Sequence, residues 1–327
     1  MKRISVIVPM YNSFHMMKRN LAVLERQTAA DIELIIVDDC SKDNSYLEAM
    51  QYASQSSLNI VVMKNEKNGG PGVSRNNGIK RATGDYITFV DSDDYFTDNY
   101  AEVLAPLMEK GIDCIIYDYF NVNEQGTLLS IGKSIGGGNV NAGYVDSRVA
   151  LTYTAGSTMC KAYRRELIEQ SGAKFGEYFR NEDMPFTKYA IAMSQSVYYC
   201  PENLYCYVQV ATSLMHDISL LDEANCQRAF SILSERLADK GMDEELLTIE
   251  LREVLNNTVL IKLQKKESRR DVLRYICAKY SKKHIKNKYF ALLPKHVRIV
   301  SYCAYFRCIL ALSLILKYKN YLQSKAK

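Results

Sequence analysis

The sequence lacks the cysteine spacing that marks disulfide scaffolds. Its nine cysteines include no CxxC pair and no closely spaced framework, and their number is odd. We therefore expect the protein in a reducing cytoplasm. The amino terminus also has little that would direct secretion, because Met1-Lys2-Arg3 runs straight into the strand-like Ile4–Val8 without a longer apolar stretch or a cleavage site. These absences predict a cytoplasmic protein.

The carboxyl-terminal segment lacks acidic side chains altogether. From Val272 to Lys327 there are thirteen Lys or Arg and no Asp or Glu, so the rest of the chain carries −8 within the overall charge of +5. Such a basic segment favours an anionic surface, either a membrane or a nucleic acid. No RNA- or DNA-binding module is recognisable in the sequence, which argues against nucleic acid.

The basic tail, residues 282–327, contains an apolar stretch from Ile299 to Leu316 that only Arg307 interrupts. The stretch is marginal for crossing a bilayer, which needs ~20 apolar residues, and an arginine near its centre would cost about 3 kcal/mol. An amphipathic helix that lies on the membrane, with its lysines reaching the interface, avoids that cost. The alternative is a core helix that packs on the protein itself.

The first 120 residues alternate apolar runs with segments of helical period. The runs are apolar throughout, which is typical of strands buried on both faces of a parallel sheet. Five of them are predicted as strands: Ile4–Val8, Glu33–Val37, Asn59–Met63, Tyr86–Val90 and Asp113–Tyr117. This alternation predicts an α/β fold, a mostly parallel sheet flanked by helices, whose ligands bind outside the carboxyl ends of the strands.

The most concentrated polar cluster is Asp91-Ser92-Asp93-Asp94, where an apolar strand runs into three carboxylates. Like charges in such proximity are costly unless a cation joins them, and carboxylate oxygens suit Mg²⁺ or Mn²⁺. Asp91 and Asp93 are therefore candidate ligands of a divalent metal that carries a phosphate. The alternative is a solvated acidic turn, and Asp94 is expected to be no more than a residue that leads the next helix.

Three further clusters at strand ends offer contacts for a nucleotide. Tyr11, in Pro9-Met10-Tyr11-Asn12, has a ring on which a flat base can stack. A carboxylate in Val37-Asp38-Asp39 can accept a hydrogen bond from a uracil or guanine ring N–H. The glycine-rich segment 68–78 is neither a Walker loop nor a dinucleotide fingerprint, but it places Arg75 one turn into a helix, within reach of a diphosphate. Each cluster alone is typical of an ordinary turn.

Together these segments resemble the nucleotide-sugar-dependent glycosyltransferases of family 2, which have the GT-A fold. The resemblance rests on the order and spacing of four segments: Ser5-Val6-Ile7-Val8-Pro9-Met10-Tyr11-Asn12, Ile35-Ile36-Val37-Asp38-Asp39-Cys40-Ser41-Lys42-Asp43, Asn68–Gly78 and Gly84–Asp94. It covers roughly the first 120 residues closely and continues more loosely to about residue 215.

The resemblance implies roles for individual residues of these segments. Asp91-Ser92-Asp93 would be the DxD motif, with Asp93 and its neighbour Asp91 at the metal. Asp39 would read the base. The remaining nucleotide contacts would come from Pro9, Tyr11, Asn12 and Arg75.

The resemblance also implies a catalytic base in Asn181-Glu182-Asp183-Met184-Pro185-Phe186, with Asp183 the base by position and Glu182 its neighbour. Independently of any family, these two carboxylates open a predicted helix, whose dipole is expected to stabilise their ionised form. The alternative is a pair of ordinary helix-capping acids.

One segment departs from the family pattern. Leu204–His216 resembles a Tyr-x-Tyr-Arg…Gly-Ser stretch that closes over the nucleotide, but Val208 stands where arginine is usual. Closure over the diphosphate is then expected to depend on another group. His216 is a candidate for a contact with metal or phosphate, and an ordinary surface histidine is the alternative.

Three regions are predicted along the chain. Residues 1–217 form the GT-A domain, divided into a nucleotide-sugar-binding half (1–120) and an acceptor-binding half (121–217). Residues 218–281 have helical period, and residues 282–327 form the basic amphipathic tail. A glycine-rich connection, Gly136-Gly137-Gly138-Asn139, lies in the acceptor half.

The sequence is therefore interpreted as an inverting, metal-dependent glycosyltransferase of EC class 2.4. Its donor would be a nucleotide-diphosphate sugar, with a UDP-sugar favoured, and Mn²⁺ or Mg²⁺ its cofactor. Its acceptor would be a glycan or lipid-linked hydroxyl in bacterial capsule, exopolysaccharide or lipopolysaccharide synthesis. We expect it on the inner face of the cytoplasmic membrane, as a peripheral protein held by the tail.

Two alternatives belong to other functional classes. A sugar nucleotidyltransferase would need an early glycine-rich basic loop, which residues 8–13 lack. A non-catalytic nucleotide-sugar-binding or scaffold protein would be consistent with Val208 in place of arginine.

Overall fold

The computed structural model describes residues 1–137, 140–210, 223–315 and 317. The chain divides into two compact units, one of Met1–Ile135 with Val140–Ala211 and one of Gly136–Asn139 with Thr212–Lys327. Several features named from the sequence lie outside the described residues: Gly138 and Asn139, the stretch 211–222 with His216 and the predicted boundary at 217, and, in the tail, Leu316 and 318–327.

The first unit is an α/β structure. Its strands are β1 (Arg3–Met10), β2 (Asp31–Asp38), β3 (Asn59–Lys64), β4 (Tyr86–Phe89), β5 (Tyr95–Phe96), β6 (Cys114–Asn123), β7 (Leu128–Gly132), β8 (Gly143–Val145), β9 (Lys161–Arg164) and β10 (Val197–Gln209). Its α-helices are α1 (Lys18–Glu25), α2 (Ser45–Gln55), α3 (Pro71–Arg81), α4 (Tyr100–Glu109), α5 (Ser147–Tyr153), α6 (Arg165–Ser171) and α7 (Asp183–Met193), and Phe14–Met16 forms a 3₁₀ turn.

The first four strands form the parallel half of one sheet, in the order β3-β2-β1-β4. Val6, Ile7 and Val8 in β1 are fully buried. Because successive side chains of a strand point to opposite faces, burial of all three requires cover on both faces of the sheet. The parallel arrangement brings the carboxyl ends of β1, β2 and β4 to one edge.

Beyond β4 the sheet is mixed rather than mostly parallel. The predicted strand around Asp113–Tyr117 is present as β6, but β9 lies between β4 and β6 and runs antiparallel to both. Ala162 and Tyr163 of β9 are fully buried, so the strand fills the centre of the sheet with apolar side chains. The α/β class is thus as predicted, and beyond the first four strands parallel and antiparallel pairs are mixed.

Strand β10 connects the second half of the unit to the segment that follows β4. It pairs with β6 in parallel and with β5 in antiparallel, and Tyr205 lies opposite Phe96 of β5. Register shifts between Cys200 and Tyr205 let it follow both partners. Because β5 begins directly after Asp94, this pairing brings β10 to the acidic turn.

The second unit is helical over its described residues. Its α-helices are α8 (Glu223–Leu237), α9 (Asp243–Ile249), α10 (Asn256–Gln264), α11 (Arg269–Lys279), α12 (Lys282–Lys286) and α13 (Lys295–Tyr305), with a π-helical segment at Glu250–Leu255 and a 3₁₀ turn at Phe290–Leu292. Residues 309–315 are also helical.

The predicted apolar stretch of the tail is not one continuous helix. It breaks after α13 at Arg307, whose φ of 61° lies in the left-handed region. Val300, Ala304 and Leu312 are buried, so part of the stretch packs on the protein, as the alternative interpretation expected. Among the described residues, we find no helix with the length and apolar content that crossing a bilayer requires.

Candidate functional site

The candidate site lies at the carboxyl edge of the parallel strands in the first unit. Asp39 directly follows β2, the acidic turn 91–94 follows β4, and Arg75 is in the second turn of α3. Helix α7 begins at Asp183, with Glu182 at its N-cap. Hydrogen bonds join several of these predicted residues to one another.

The acidic turn is a cluster of three carboxylates. One ligand oxygen from each of Asp91, Asp93 and Asp94 lies within 4.8 Å of the others, and no other group of this kind is present in the part of the chain that the structure describes. Burial, together with the charge of Asp91, raises the pKa of Asp93 to about 6. A bound cation would relieve this repulsion, so the donor set fits a divalent metal with a preference for oxygen ligands.

Asp94 is not the simple helix-leading residue that the sequence indicated. Its side chain is buried, and its carboxylate accepts hydrogen bonds from the Tyr205 hydroxyl at 2.6 Å and from the Val208 backbone N–H at 2.7 Å. Burial and the charges of Asp93 and Asp91 raise the pKa of Asp94 well above its usual range. Asp94 therefore anchors β10 to the acidic turn.

Tyr205 was missed as a site residue, although it lies in the Tyr-x-Tyr stretch that the sequence suggested would close over a nucleotide. Its hydroxyl also lies 3.4 Å from the backbone nitrogen of Asp91. The contact from Val208 uses the main chain, which every residue except proline supplies. Valine at this position therefore preserves the link to Asp94.

Arg75 is a buried ion-pair partner of two carboxylates. Its Nη2 lies 2.7 Å from Asp91 Oδ1 and its Nη1 lies 2.7 Å from Glu182 Oε1, while only 3% of the residue is exposed. Burial alone would lower the pKa of the guanidinium, but Asp91, Glu182 and Asp183 outweigh burial and raise it. The guanidinium carbon also lies 5.4 Å from the centre of the Phe175 ring, a contact that the sequence did not indicate.

The two acids at the start of α7 differ in their surroundings. Burial raises the pKa of Glu182, and its ion pair with Arg75 opposes that rise. Burial and the adjacent Glu182 raise the pKa of Asp183 to about 7. The expectation that the helix dipole would favour the ionised form is therefore wrong for Asp183, because desolvation and a neighbouring like charge exceed the helix-end effect.

Asp39 is tied to the glycine-rich segment. Its Oδ1 accepts hydrogen bonds from the Asn65 side chain and the Gly69 N–H, and its Oδ2 accepts one at 2.7 Å from the Gly70 N–H. A carboxylate has about four lone-pair positions, so these donors leave room for one more. The contact from Asn65 could not be predicted from the sequence, because Asn65 belongs to none of the recognised motifs.

The glycines of this segment shape the site rather than only offering open backbone. Gly70 has a φ of +84°, and a Cβ on Gly72 would lie 2.1 Å from the Gly176 carbonyl oxygen and 2.9 Å from the Glu182 Cγ. No larger residue fits at Gly72 without displacement. Its absent side chain therefore lets α3 approach the start of α7, which brings Arg75 to Glu182.

The residues predicted after β1 lie at the same edge. Pro9 does not end the strand, since β1 continues to Met10, and Pro9 is paired with Val37. Tyr11 is 41% exposed, and Asn12 has a φ of 52° and is held by the Ser41 hydroxyl and the Lys42 N–H. Ser92 lies in the turn between Asp91 and Asp93. Among the described residues, no hydrogen bond or ring contact joins Tyr11 to the acidic turn.

A known protein family matches the first half of the chain. Residues 5–172 match the model of glycosyl transferase family 2, a range that contains all four segments on which the resemblance rests.

Curated relatives match over long segments. A poly(ribitol-phosphate) beta-glucosyltransferase of Bacillus spizizenii is 28% identical over 290 residues, which are 84% of this chain and 44% of that protein. The poly(ribitol-phosphate) beta-N-acetylglucosaminyltransferase TarS of Staphylococcus aureus is 32% identical over 63% of this chain and 35% of its own length. Glycosyltransferase GlyG of Streptococcus pneumoniae is 27% identical over 78% of this chain and 87% of its own. The chain thus spans less than half the length of the first two.

Solved structures show the same fold. The crystal structure of S. aureus TarS 1-349 in complex with UDP-GlcNAc matches with a TM-score of 0.70 at 22% identity, over 93% of this chain and 89% of that one. The mannosyltransferase PcManGT from Pyrobaculum calidifontis, in complex with GDP-Man and Mn²⁺, matches with a TM-score of 0.57 at 15% identity, over 96% and 87% of the two chains. The predicted GT-A fold is confirmed.

The anchor between Asp94 and β10 can be tested with Tyr205→Phe. We expect the free energy of unfolding to fall by about 1–3 kcal/mol, because a buried carboxyl group loses one of its two donors. Urea unfolding followed by circular dichroism measures the change. Tyr144→Phe is the matched control, since Tyr144 is 67% exposed; equal unfolding of the two variants would contradict the anchor.

Proposed function

The chain belongs to glycosyl transferase family 2, and from that premise we propose that it transfers a sugar, with inversion, from a nucleotide-diphosphate sugar to an acceptor hydroxyl. One observation carries the proposal. Arg75 contacts both Asp91 in the acidic turn and Glu182 beside Asp183, so a candidate metal site and a candidate base belong to one connected arrangement.

A UDP-sugar is the proposed donor. Tyr11 is exposed enough for a base to stack on its ring, and Asp39 keeps a lone-pair position for a ring N–H. TarS, a relative of the same fold, has been solved with UDP-GlcNAc. We extend that donor class to this chain as part of the proposal, and the identity of the sugar is not part of it.

Asp91 and Asp93 are the proposed ligands of Mn²⁺ or Mg²⁺, because Asp94 is taken up by Tyr205 and Val208. When bound, the metal would neutralise charge on the departing nucleoside diphosphate. The sequence assigned Arg75 to the nucleotide as well. Both of its terminal nitrogens are engaged by carboxylates in this structure, so direct contact with the diphosphate is not part of the proposal.

Asp183 is the proposed base. A carboxyl group with a pKa of about 7 is a better proton acceptor than an ordinary aspartate, and near neutral pH a substantial fraction is ionised. It would take the proton of the acceptor hydroxyl as that oxygen attacks the sugar. Attack from the face opposite the leaving group inverts the configuration at the anomeric carbon.

The acceptor is proposed to be a glycan or lipid-linked hydroxyl in bacterial surface polysaccharide synthesis. Two relatives are named for transfer to poly(ribitol-phosphate), which supports a surface polymer as the acceptor class. The scaffold alternative loses its main support, because Val208 keeps a main-chain contact to the acidic turn.

Turnover tests the two carboxylate roles. We expect Asp183→Asn to lower kcat by about 100-fold or more, the usual range for a lost acid–base group. Asp93→Asn should also lower kcat strongly and weaken the response to Mn²⁺, because it removes a proposed metal ligand. The assay measures nucleoside diphosphate release from UDP-, GDP- and dTDP-sugars with Mn²⁺ and a membrane lipid extract, and mass spectrometry identifies the product. Asp98→Asn is the control, because Asp98 is 73% exposed. Unchanged release in both site variants would overturn the mechanism.

The pH dependence of kcat tests the base. The pKa of Asp183 is raised to about 7, and only the deprotonated form accepts a proton. We expect kcat to rise as pH increases through about 7, to level off above it, and to fall about tenfold per pH unit well below it. Initial rates at saturating donor, acceptor and metal measure this, and a rate that stays constant from about pH 5.5 to 8 would rule Asp183 out.

Membrane contact is proposed for the carboxyl-terminal helices, at the inner face of the cytoplasmic membrane. Their exposed side chains include large apolar ones, with Phe306 at 66% and Leu310 at 67% exposure. Ile299, Tyr302 and Leu314 are exposed as well, and the same segment exposes Lys295 and Arg307. Exposed apolar side chains flanked by basic ones suit an anionic lipid surface.

Paired substitution tests this surface. We expect Phe306→Glu with Leu310→Glu to lower binding to phosphatidylglycerol-containing vesicles by about tenfold or more, because two apolar side chains proposed to enter the lipid become charged. Flotation with those vesicles and with phosphatidylcholine vesicles measures the change. The control is Leu47→Glu with Leu129→Glu, at two exposed leucines of the first unit. Equal flotation of both double variants would exclude this surface.

A further inference from the structure

Arg75 and Glu182 are the candidate site residues that join the acidic turn to the start of α7. Both are buried, and their side chains meet at 2.7 Å. The second terminal nitrogen of Arg75 is used by Asp91. A planar guanidinium that gives one terminal nitrogen to each of two carboxylates fixes their relative position more firmly than a point charge does.

The ion pairs of Arg75 with Glu182 and Asp91 form a bridge between the two halves of the site. Neighbouring residues hold this bridge in place from two sides. Phe175 lies under the guanidinium and stacks on Phe186 of α7, with ring centres 4.1 Å apart. The Gly176 N–H donates to the Glu182 carbonyl oxygen at 2.8 Å, and Gly72 leaves the space in which α3 and α7 approach. The bridge therefore joins the acidic turn, α3 and α7 as one packed arrangement.

Glu182 and Asp183, the two acids at the start of α7, differ in their contacts. A Glu182 oxygen is committed to Arg75, whereas Asp183 has its pKa raised to about 7, a value suited to a base. We propose that Arg75 and Glu182 are a positioning pair, which holds the metal-binding carboxylate Asp91 and the base Asp183 in register and sets the charge that each of them experiences, without either member touching the reacting atoms. This inference rests on the proposed function.

The pair also sets the electrostatic field at Asp183. The groups that interact with the Asp183 carboxyl are Glu182 beside it, Arg75 from α3, Asp91 after β4 and the Tyr163 hydroxyl from β9. Glu182 and Asp91 raise the pKa of Asp183, and Arg75 lowers it. Neutralising Glu182 while Arg75 remains should therefore make Asp183 a stronger acid.

At the metal site, Arg75 competes with a cation for Asp91. Its positive charge lies 2.7 Å from an oxygen that would face the metal. Removing that charge should strengthen binding of the metal, even though the packing around Arg75 is disturbed. A residue with a merely structural role would have the opposite effect, because loosening the turn would weaken the site.

Three variants test the pair: Glu182→Gln, Arg75→Gln and the double variant. For Glu182→Gln, we expect the midpoint of the kcat–pH profile to move about one unit lower while maximal kcat stays within about tenfold of the original. For Arg75→Gln, isothermal titration with Mn²⁺ alone should show about fivefold tighter binding. In the double variant, the shift of the pH midpoint should be smaller than in Glu182→Gln.

Controls are Glu169→Gln and Arg26→Gln, which remove exposed charges of the same types on α6 and after α1. Circular dichroism and thermal unfolding establish that each variant folds. If Arg75→Gln does not fold, the pH profile of Glu182→Gln decides alone.

The outcomes separate this inference from the proposed function. Loss of kcat by about 100-fold in Glu182→Gln with no surviving pH midpoint would make Glu182 the base and overturn the pair. An unmoved midpoint, or weaker Mn²⁺ binding in folded Arg75→Gln, would also overturn it. If the unaltered protein turns over no donor, the proposed function fails, whereas the Mn²⁺ titration still tests whether Arg75 competes for Asp91.

Discussion

The two ion pairs of Arg75 are the constraint on which the rest of the candidate site depends. A buried guanidinium is costly unless its charge is matched, and matched carboxylates are costly unless they reach it with good geometry. Asp91 and Glu182 come from opposite halves of the first unit, so their mutual position is set by how α3 packs against the start of α7. Gly72 permits that packing. No positively charged side chain contacts Asp93 among the described residues, so a divalent metal would supply the charge that the acidic turn lacks.

The parallel half of the sheet could be predicted from the apolar runs in the sequence. Apolar runs at Ile4–Val8 and Tyr86–Val90 correspond to β1 and β4, and the location of Asp39 and Asp91 at the same edge of the sheet follows from strand direction alone. The family resemblance added the assignment of Asp183, which the residues alone left as one capping acid among many.

Contacts across long sequence separations could not be anticipated in the same way. Arg75 and Glu182 are 107 residues apart, and Tyr205 and Asp94 are 111 apart. Both depend on elements that enter the sheet out of chain order, β9 between β4 and β6 and β10 beside β5. The acidity of Asp183 was misjudged for a related reason. Its helix is visible in the sequence, but the burial that outweighs the helix dipole is created by distant segments.

The placement of β9 has a consequence for how the chain acquires its fold during synthesis. Strand β4 is the outer strand of the four-stranded parallel sheet β3-β2-β1-β4. Until residues 161–164 have left the ribosome, β9 cannot pair with it, and its outer edge is unpaired. An exposed edge of this kind can recruit strands from other chains. The nascent protein thus has to emerge by about half its length before its sheet is closed at that edge, and a chaperone that shields the edge over this interval would protect the chain from association with its neighbours.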